Sequence, residues 1–593
     1  MIRVLACVLA LVAFAPAHAQ NASAQTAPVR PAADSFKAVL ADHWAWHLRN
    51  NPVQATTLGV RDYDTQLGDP SLAAMDRQAA EAAAFIRRLD AIPADQLSAA
   101  DRLNHALLRQ DLANEVEKNR HVQRAILFSN RRGWHLNFAR LGERVPLFNL
   151  ADFESYLARL AAYPEYNRRA IETTRSLVTA GATHPCAAMV GFERGIAVHI
   201  VDDPAKSDLY APFLKPRPAS ITEAQWAALS ERARGLIATA IVPAYRELHD
   251  FYRSEYAPKC RQTFGDAGMP GGREWYAYRV RLMTTTDRTP EEIHQLGLSE
   301  VARIRAEMDA VVKRSGFAGD RAAYVEHLRT DPRYYPKTPE ELMAVASVLA
   351  KRIDGEMPKL FGRLPRLPYT VKEVPAATAP GTTTAYYTRG SLTGAVPGIY
   401  WVNTSKLDQR PLFEMPALTV HEAVPGHHQQ LSIQGELDLP EFRKHAVNFT
   451  VFTEGWGLYS ERLGIDMGLY DTPEKDFGRL SYEMWRAARL VVDTGLHAKG
   501  WTRDQAVQFM LENTALSRGN IEAEVNRYMV DSGQALAYKH GELKIRELRE
   551  RAERELGADF DLRAFHDAVL ENGEVPLDVL DRHVTAWIAA RKR

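Results

Sequence analysis

His421-Glu422-Ala423-Val424-Pro425-Gly426-His427-His428 follows the apolar run Met415-Pro416-Ala417-Leu418-Thr419-Val420, and the way this octapeptide is read governs the reading of the whole chain. Two histidines flanking a glutamate can share a metal when they stand four residues apart on a helix, about 40° from eclipsed and about 6 Å along the axis. Here Pro425 occupies the fourth position. On an unbroken helix His427 would point about 240° around from His421, and His428, nearly eclipsed, would lie about 10 Å along the axis. Two readings stay open. In one, the helix ends at Val424, Pro425-Gly426 makes a turn, and the histidines are only polar. In the other, Pro425-Gly426 is a two-residue insertion after which His427, or His428, regains the place of a second ligand. An interior proline costs about 3 kcal/mol, which is small beside the roughly 10 kcal/mol or more that zinc supplies at structural sites.

The segment Phe449-Thr450-Val451-Phe452-Thr453-Glu454-Gly455-Trp456-Gly457-Leu458-Tyr459-Ser460-Glu461 reads as an apolar helix with two acids nearly on one face. Carboxylates among aromatic residues are costly unless paired or metal-bound. A catalytic zinc takes three protein ligands and keeps one position open, a rule that His421, His427 and Glu454 satisfy around one ion. Glu461 is the alternative to Glu454; it is better suited to accept a hydrogen bond from a ligand histidine or to join a salt bridge. Glu422 would face the water at such a metal and act as its general base.

The wider composition agrees with an enzyme body. The chain has 593 residues, and its 74 Lys plus Arg equal its 74 Asp plus Glu, which argues against a nucleic-acid partner. With 46% hydrophobic residues and three cysteines it is neither a disordered chain nor a disulfide scaffold. Single domains stop growing near about 250–300 residues, so two lobes or one unusually large enzyme body are expected, with a weak break at Gly268 to Gly272 between 35–270 and 271–593. Arg3, the apolar run Val4 to Ala15 and the small-x-small site Ala17-His18-Ala19 make residues 1–19 an export signal, too short to span a bilayer. Cys7 inside that run leaves a lipoprotein signal as the lesser alternative. Residues 20–34 read as a disordered leader, and the protein is expected to be periplasmic or secreted, with no membrane span once the signal is removed. In an oxidising compartment Cys186 and Cys260 are a possible disulfide, or else two buried thiols.

Most of the chain has helical periodicity. Ile293, Leu296, Val301, Ile304, Met308 and Val311 define one buried face behind the capping box Thr289-Pro290-Glu291-Glu292, and Thr338 to Glu341 and Thr222 with Gln225 repeat that start. Between Tyr369 and Asn403 the chain turns to β-branched and aromatic segments cut by glycine and proline, which predicts a small sheet of two to four strands beside the metal helix. Its last strand, Gly398 to Asn403, offers an edge on which an extended peptide could add, with Tyr400 as a substrate contact or as an ordinary packing residue.

Four motifs in order carry a family resemblance. They are His421-Glu422-x-x-Pro425-Gly426-His427-His428, then Glu454-Gly455-Trp456-x-Leu458-Tyr459-x-Glu461, then Arg486-Ala487-x-Arg489 continuing to Asp493 and His497, then Arg527-Tyr528 with Gly533-Gln534-Ala535-Leu536-Ala537-Tyr538. Together with Asn51-Pro52-Val53-Gln54-Ala55-Thr56 and Gly59, they resemble the domain of unknown function 885 family over nearly the whole chain. The one departure is Ser532, where proline is expected before Gly533-Gln534. The resemblance implies a mainly α, zinc-peptidase-like body with its lobes around a central substrate cleft, similar to the helical oligopeptidases and angiotensin-converting enzyme, in which a Gly-His pair and a downstream Glu bind zinc. It also implies an oxyanion donor late in the chain, for which Tyr528 and Tyr538 are the candidates. Arg489 and Gln534 are candidate substrate contacts, although the spacing of Arg486, Arg489 and Asp493 equally suits a structural ion-pair network. The expected function is a zinc-dependent hydrolase of oligopeptides. Alternatives are a zinc hydrolase of non-peptide amides or esters, and a non-catalytic peptide-binding scaffold.

Overall fold

The computed structural model describes residues 31–376, 379, 382–391 and 396–592, so the signal expected at 1–19 and residues 20–30 of the expected leader lie outside the described residues. The body is mainly helical. Helix α1 (Ala32–Asn50) begins inside the stretch 20–34 expected as a leader, because Ala32, Phe36 and Val39 are buried in the main core. Later helices include α2 (Leu150–Ala180), α3 (Pro290–Ser315), α4 (Met415–Glu422), α5 (His427–Glu436), α6 (Thr450–Asp466), α7 (Pro473–His497), α8 (Arg518–Tyr528) and α9 (Ala537–Leu556). Helix α3 starts at the capping box of Thr289 and Glu292 and buries Ile293, Val301, Ile304, Met308 and Val311, as the periodicity predicts. Among the described residues no helix is long and apolar enough to cross a membrane.

The cores do not follow a division at residue 270. Phe36, Leu89 and Leu108 from the start of the chain share one core with Phe452, Trp456, Leu548 and Val584 from its end. A second, aromatic-rich core is built wholly from residues between Phe128 and Tyr256, including Tyr163 of α2. The first helices thus bury their apolar faces against the late helices across the expected boundary between 35–270 and 271–593, while Phe128 to Tyr256 and, in the second half, Val301 to Ala515 contribute cores of their own.

Helix α7 is buried on every side from Phe477 to His497. A helix enclosed all round must partner its polar residues internally. Glu483 does so with Lys539 of α9 at 2.8 Å, and fully buried Lys539 also reaches Glu300 of α3 at 3.1 Å and Glu542 at 2.8 Å. Helices α6 and α9 touch through glycines: a Cβ on Gly455 would lie 2.4 Å from the Gly541 Cα. That contact brings Glu454 and Tyr538, each a few residues from its glycine, to one side of the molecule.

The sheet has three strands, β1 (Tyr369–Glu373), β2 (Ala385–Thr388) and β3 (Gly398–Val402), in the order β1-β3-β2. The open edge expected at Gly398 to Asn403 is not there. Strand β3 is central, parallel to β1 on one side and antiparallel to β2 on the other, so both of its ladders are filled. Tyr400 is completely buried and its hydroxyl lies 3.3 Å from Thr419 Oγ1, so it packs in the core and braces α4.

Cys186 and Cys260 are disulfide-bonded with Cα atoms 5.0 Å apart, beside a backbone bridge in which Cys186 N–H donates to Arg261 O. The bond closes a loop of sequence separation 74. Replacing both cysteines by serine is expected to lower the unfolding free energy by up to about 4.5 kcal/mol, the chain-entropy value for a loop of that length. Denaturant titration with and without reductant measures it, and a change below about 1 kcal/mol would mean that other contacts already restrain the loop.

Candidate metal centre

Helix α4 stops at Glu422, where Ala423 (φ −94°, ψ −120°) leaves helical geometry. The backbone groups released there are recaptured at once. Gly426 N–H turns back to Val420 O at 3.0 Å, and His428 N–H donates to Ala423 O at 3.0 Å. The Val424–Pro425 peptide is cis. Gly426 is obligatory, since a Cβ there would stand 2.0 Å from His421 O and 2.4 Å from Val420 O. Helix α5 then begins at His427, whose ring centroid is 4.7 Å from that of His421. Each reading of the octapeptide is thus partly met: the helix does end, two residues before Val424, and Pro425-Gly426 does return His427 to His421.

Helix α6 presents Glu454 to both rings. Glu454 Oε2 lies 3.7 Å from His421 Nε2 and 3.5 Å from His427 Nε2, and the three ligand atoms fall within 4.8 Å of one another. These spacings are long for hydrogen bonds but close to the separation of about 3.3 Å between ligands of a tetrahedral zinc bound at about 2.0–2.1 Å. Glu454 Oε2 and His427 Nδ1 are buried without a hydrogen-bond partner. An acceptor orphaned in this way and aimed between two imidazoles fits a cation. Burial pushes the Glu454 carboxyl up, but His421 and then His427 outweigh it and hold the group well below the ordinary carboxylate range. Burial likewise lowers His421, and the facing Glu454 and Glu461 override it, lifting the imidazole to about 9. The pocket thus demands positive charge between these residues, which a proton or a divalent ion can supply.

Glu461 lies about two turns further along α6 and accepts from His421 Nδ1 at 2.8 Å. That bond places the ring proton on Nδ1 and leaves the Nε2 lone pair for a metal. Arg486 of α7 pairs with the same Glu461 oxygen at 3.1 Å, so the expected ion-pair role of Arg486 includes orienting a ligand. Gly457 lies beneath the His421 ring, where a Cβ would come 2.8 Å from Cε1. His428 is excluded as a ligand. Its Nδ1 is 2.9 Å from Tyr387 Oη and its Nε2 2.9 Å from Leu367 O, and burial lowers it to about 4, so it is a neutral tie between α5 and the sheet. Glu422 sits at the end of α4 next to His421 and is 9% exposed.

The two candidate tyrosines separate. Tyr528 is buried, and its oxygen accepts from Trp485 Nε1 at 2.9 Å and Arg489 Nε at 2.7 Å, which makes it part of the α7–α8 packing. Tyr538 lies parallel to the His421 ring at 6.3 Å and lines a cavity of about 550 Å³ together with Glu454. Burial, followed by the Glu454 charge, raises its pKa, so the hydroxyl keeps a proton to donate. Gln534 lines the same cavity and lies 3.5 Å from the Tyr538 hydroxyl. Arg489 does not meet the expectation of a free substrate anchor: it is buried, pairs with Glu524 at 2.9 Å, and stacks its guanidinium on Tyr538 at 4.4 Å. Asp493 accepts from Tyr276 and Gly533, and Ser532 keeps the turn through its carbonyl, which accepts from Arg279 Nε. Ser129, Asn130 and Arg131 also line the cavity and carry no signal in the sequence, because no spacing connects them to the motifs some 300 residues later.

The family described as "Bacterial protein of unknown function (DUF885)" matches residues 52–584. No curated protein matches the chain. Among solved structures, a candidate lipoprotein from Colwellia psychrerythraea is 27% identical with a TM-score of 0.88, over 95% of this chain and 100% of its own. A candidate lipoprotein of unknown function from Shewanella oneidensis is 19% identical with a TM-score of 0.69, over 93% and 99%, and shares the fold. An M32 carboxypeptidase from Deinococcus radiodurans R1 is 14% identical over 87% and 99%, with a TM-score of 0.32 that is too low to carry an argument.

The purified protein is expected to bind one zinc ion in a calorimetric titration. Glu454→Ala should abolish tight binding, and Glu461→Gln should weaken it roughly 10–100-fold without changing the far-ultraviolet circular dichroism. Wild-type affinity in Glu461→Gln would remove that residue from the support of His421.

Proposed function

We propose that this chain, which belongs to the DUF885 family of bacterial proteins, is a zinc-dependent hydrolase that cleaves peptide bonds of oligopeptides. The observation that carries the reading is the convergence of His421 Nε2, His427 Nε2 and Glu454 Oε2, with Glu454 on the wall of a cavity. Zinc held by these three residues would supply Lewis acidity, bringing the pKa of a water toward about 7 and polarising a carbonyl.

The remaining roles belong to the chain's own groups. Glu422 would take the proton of the attacking water and deliver it to the leaving nitrogen, so the same carboxylate serves as base and then acid. Tyr538 would donate its hydroxyl proton in a hydrogen bond to the developing oxyanion. Glu461, through His421 Nδ1, holds the ligand ring and its tautomer. The cavity volume of about 550 Å³ suits a short peptide better than a folded protein. Export belongs to the same proposal: the apolar leader before Ala19, a disulfide suited to an oxidising compartment, and relatives described as candidate lipoproteins all support it.

Metal-replete protein should hydrolyse members of a peptide library and lose that activity to a chelator. Glu422→Gln should lower kcat roughly 10²–10⁴-fold while zinc content stays at one per chain. Tyr538→Phe should lower kcat roughly 10²–10³-fold, whereas Tyr528→Phe should chiefly lower the melting temperature. A fully active Glu422→Gln enzyme would remove the assigned base, and zinc-loaded wild type that cleaves no peptide would overturn the reading.

A further inference from the structure

The cavity beside the metal centre is lined by four arginines, Arg131, Arg132, Arg279 and Arg527, although the chain as a whole has no net charge. Two of the four, Arg132 and Arg279, share the carboxylate of Asp531, at 2.7 and 3.0 Å, which balances one of their two charges. The other two are matched less well. Arg131 and Arg527 share the single carboxylate of Glu524 with buried Arg489, at 3.6 Å for Arg131, 2.8 Å for Arg527 and 2.9 Å for Arg489. Three guanidinium groups around one carboxylate leave two positive charges without a carboxylate partner.

Arg489 makes its other contacts in the core, on the Tyr528 oxygen and the Tyr538 face, and its Nη1 is buried without a partner. Of the three guanidinium groups only those of Arg131 and Arg527 line the cavity. Arg131 meets Glu524 only at a distance longer than a hydrogen bond, and Arg527 Nε is buried with no partner. Burial lowers the pKa of Arg131, Glu524 opposes it, and Arg527 and Arg489 lower it further, whereas at Arg527 burial is outweighed by the closer Glu524 and the pKa is raised. Arg527 is also connected to the chemistry. Its Nη1 donates to Gln534 Oε1 at 2.8 Å, and Gln534 Nε2 lies 3.5 Å from the Tyr538 hydroxyl.

We propose that Arg131 and Arg527 form a carboxylate-anchoring subsite in the cavity that contains Glu454 and Tyr538, so that the peptides cleaved carry a free carboxylate close to the scissile bond. The proposal rests on the peptidase reading and narrows its substrate class. Guanidinium forks match a carboxylate in geometry as well as charge, and an anion bound there would offset one of the two charges that Glu524 leaves unmatched. The carboxylate has two possible sources, the C-terminus of a peptide or an Asp or Glu side chain.

The test uses zinc-loaded full-length protein and a matched peptide set: free C-terminus against C-terminal amide, and Glu against Gln at each position. The acid form of one pair should be preferred in kcat/KM by roughly tenfold to hundredfold, mostly through KM, the size of effect expected for charged hydrogen bonds. Preference for the free C-terminus identifies a chain-end carboxylate, and preference for Glu over Gln identifies a side chain. Arg131→Gln and Arg527→Gln should each reduce the preference, and Arg131→Lys, which keeps the charge without the fork, should retain part of it. Equal cleavage of acid and amide forms by wild type, or a preference that survives in both glutamine variants, would overturn the subsite. If no peptide is cleaved, the peptidase reading has failed, and equilibrium binding of the same peptides to zinc-loaded wild type judges the subsite alone. Tighter binding of an acid form that Arg131→Gln abolishes supports it, and equal binding of acid and amide overturns it.

Discussion

The interior of this protein is organised around two carboxylates of one helix, Glu454 and Glu461, buried where an unpaired charge would be heavily penalised. Everything near them supplies compensation. Glu461 is met by the His421 Nδ1 proton and the Arg486 guanidinium, and Glu454 faces His421 and His427 from the other direction. His421 thus stands between two acids with one nitrogen committed and the other free, the arrangement in which an imidazole binds a metal.

That demand explains the local backbone. His427 can reach Glu454 only if the chain leaves helical geometry after Glu422 and re-enters it at His427, and the reversal brings residue 426 onto the carbonyls of Val420 and His421, where only glycine fits. Gly457 makes room for the His421 ring, and Gly455 against Gly541 lets α6 and α9 touch, so that Tyr538 comes within range of His421. The sheet serves the same end less directly. Its central strand is enclosed on both sides and steadies α4 through Tyr400 and α5 through the bond between Tyr387 and His428.

Electrostatic compensation also separates residues that look alike in sequence. Arg486, Arg489 and Arg527 all lie in conspicuous motifs, yet the first serves a ligand histidine, the second packs between two tyrosines, and the third opens on a cavity. Tyr528 and Tyr538 divide likewise, one held by two donors in the core and the other bordering open space. Sequence spacing places such residues on a helix face but does not say what that face meets.

The amino-acid sequence by itself determined the mainly helical body, the helix starts at Thr222, Thr289 and Thr338, the small sheet, and the presence of His421, His427, Glu454 and Glu461 among the site candidates. Those features are local: caps, periodicity, and acids and histidines in apolar surroundings leave their mark within a few residues. Only the tertiary structure decided His427 over His428, the central position of β3, the union of the first helices with the last in one core, and the placing of Arg131 in the cavity with Glu454. Each of those depends on which side of an element meets which distant partner. That outcome is set by the burial of apolar faces and the pairing of buried charges across hundreds of residues, and it leaves no periodic trace in the chain.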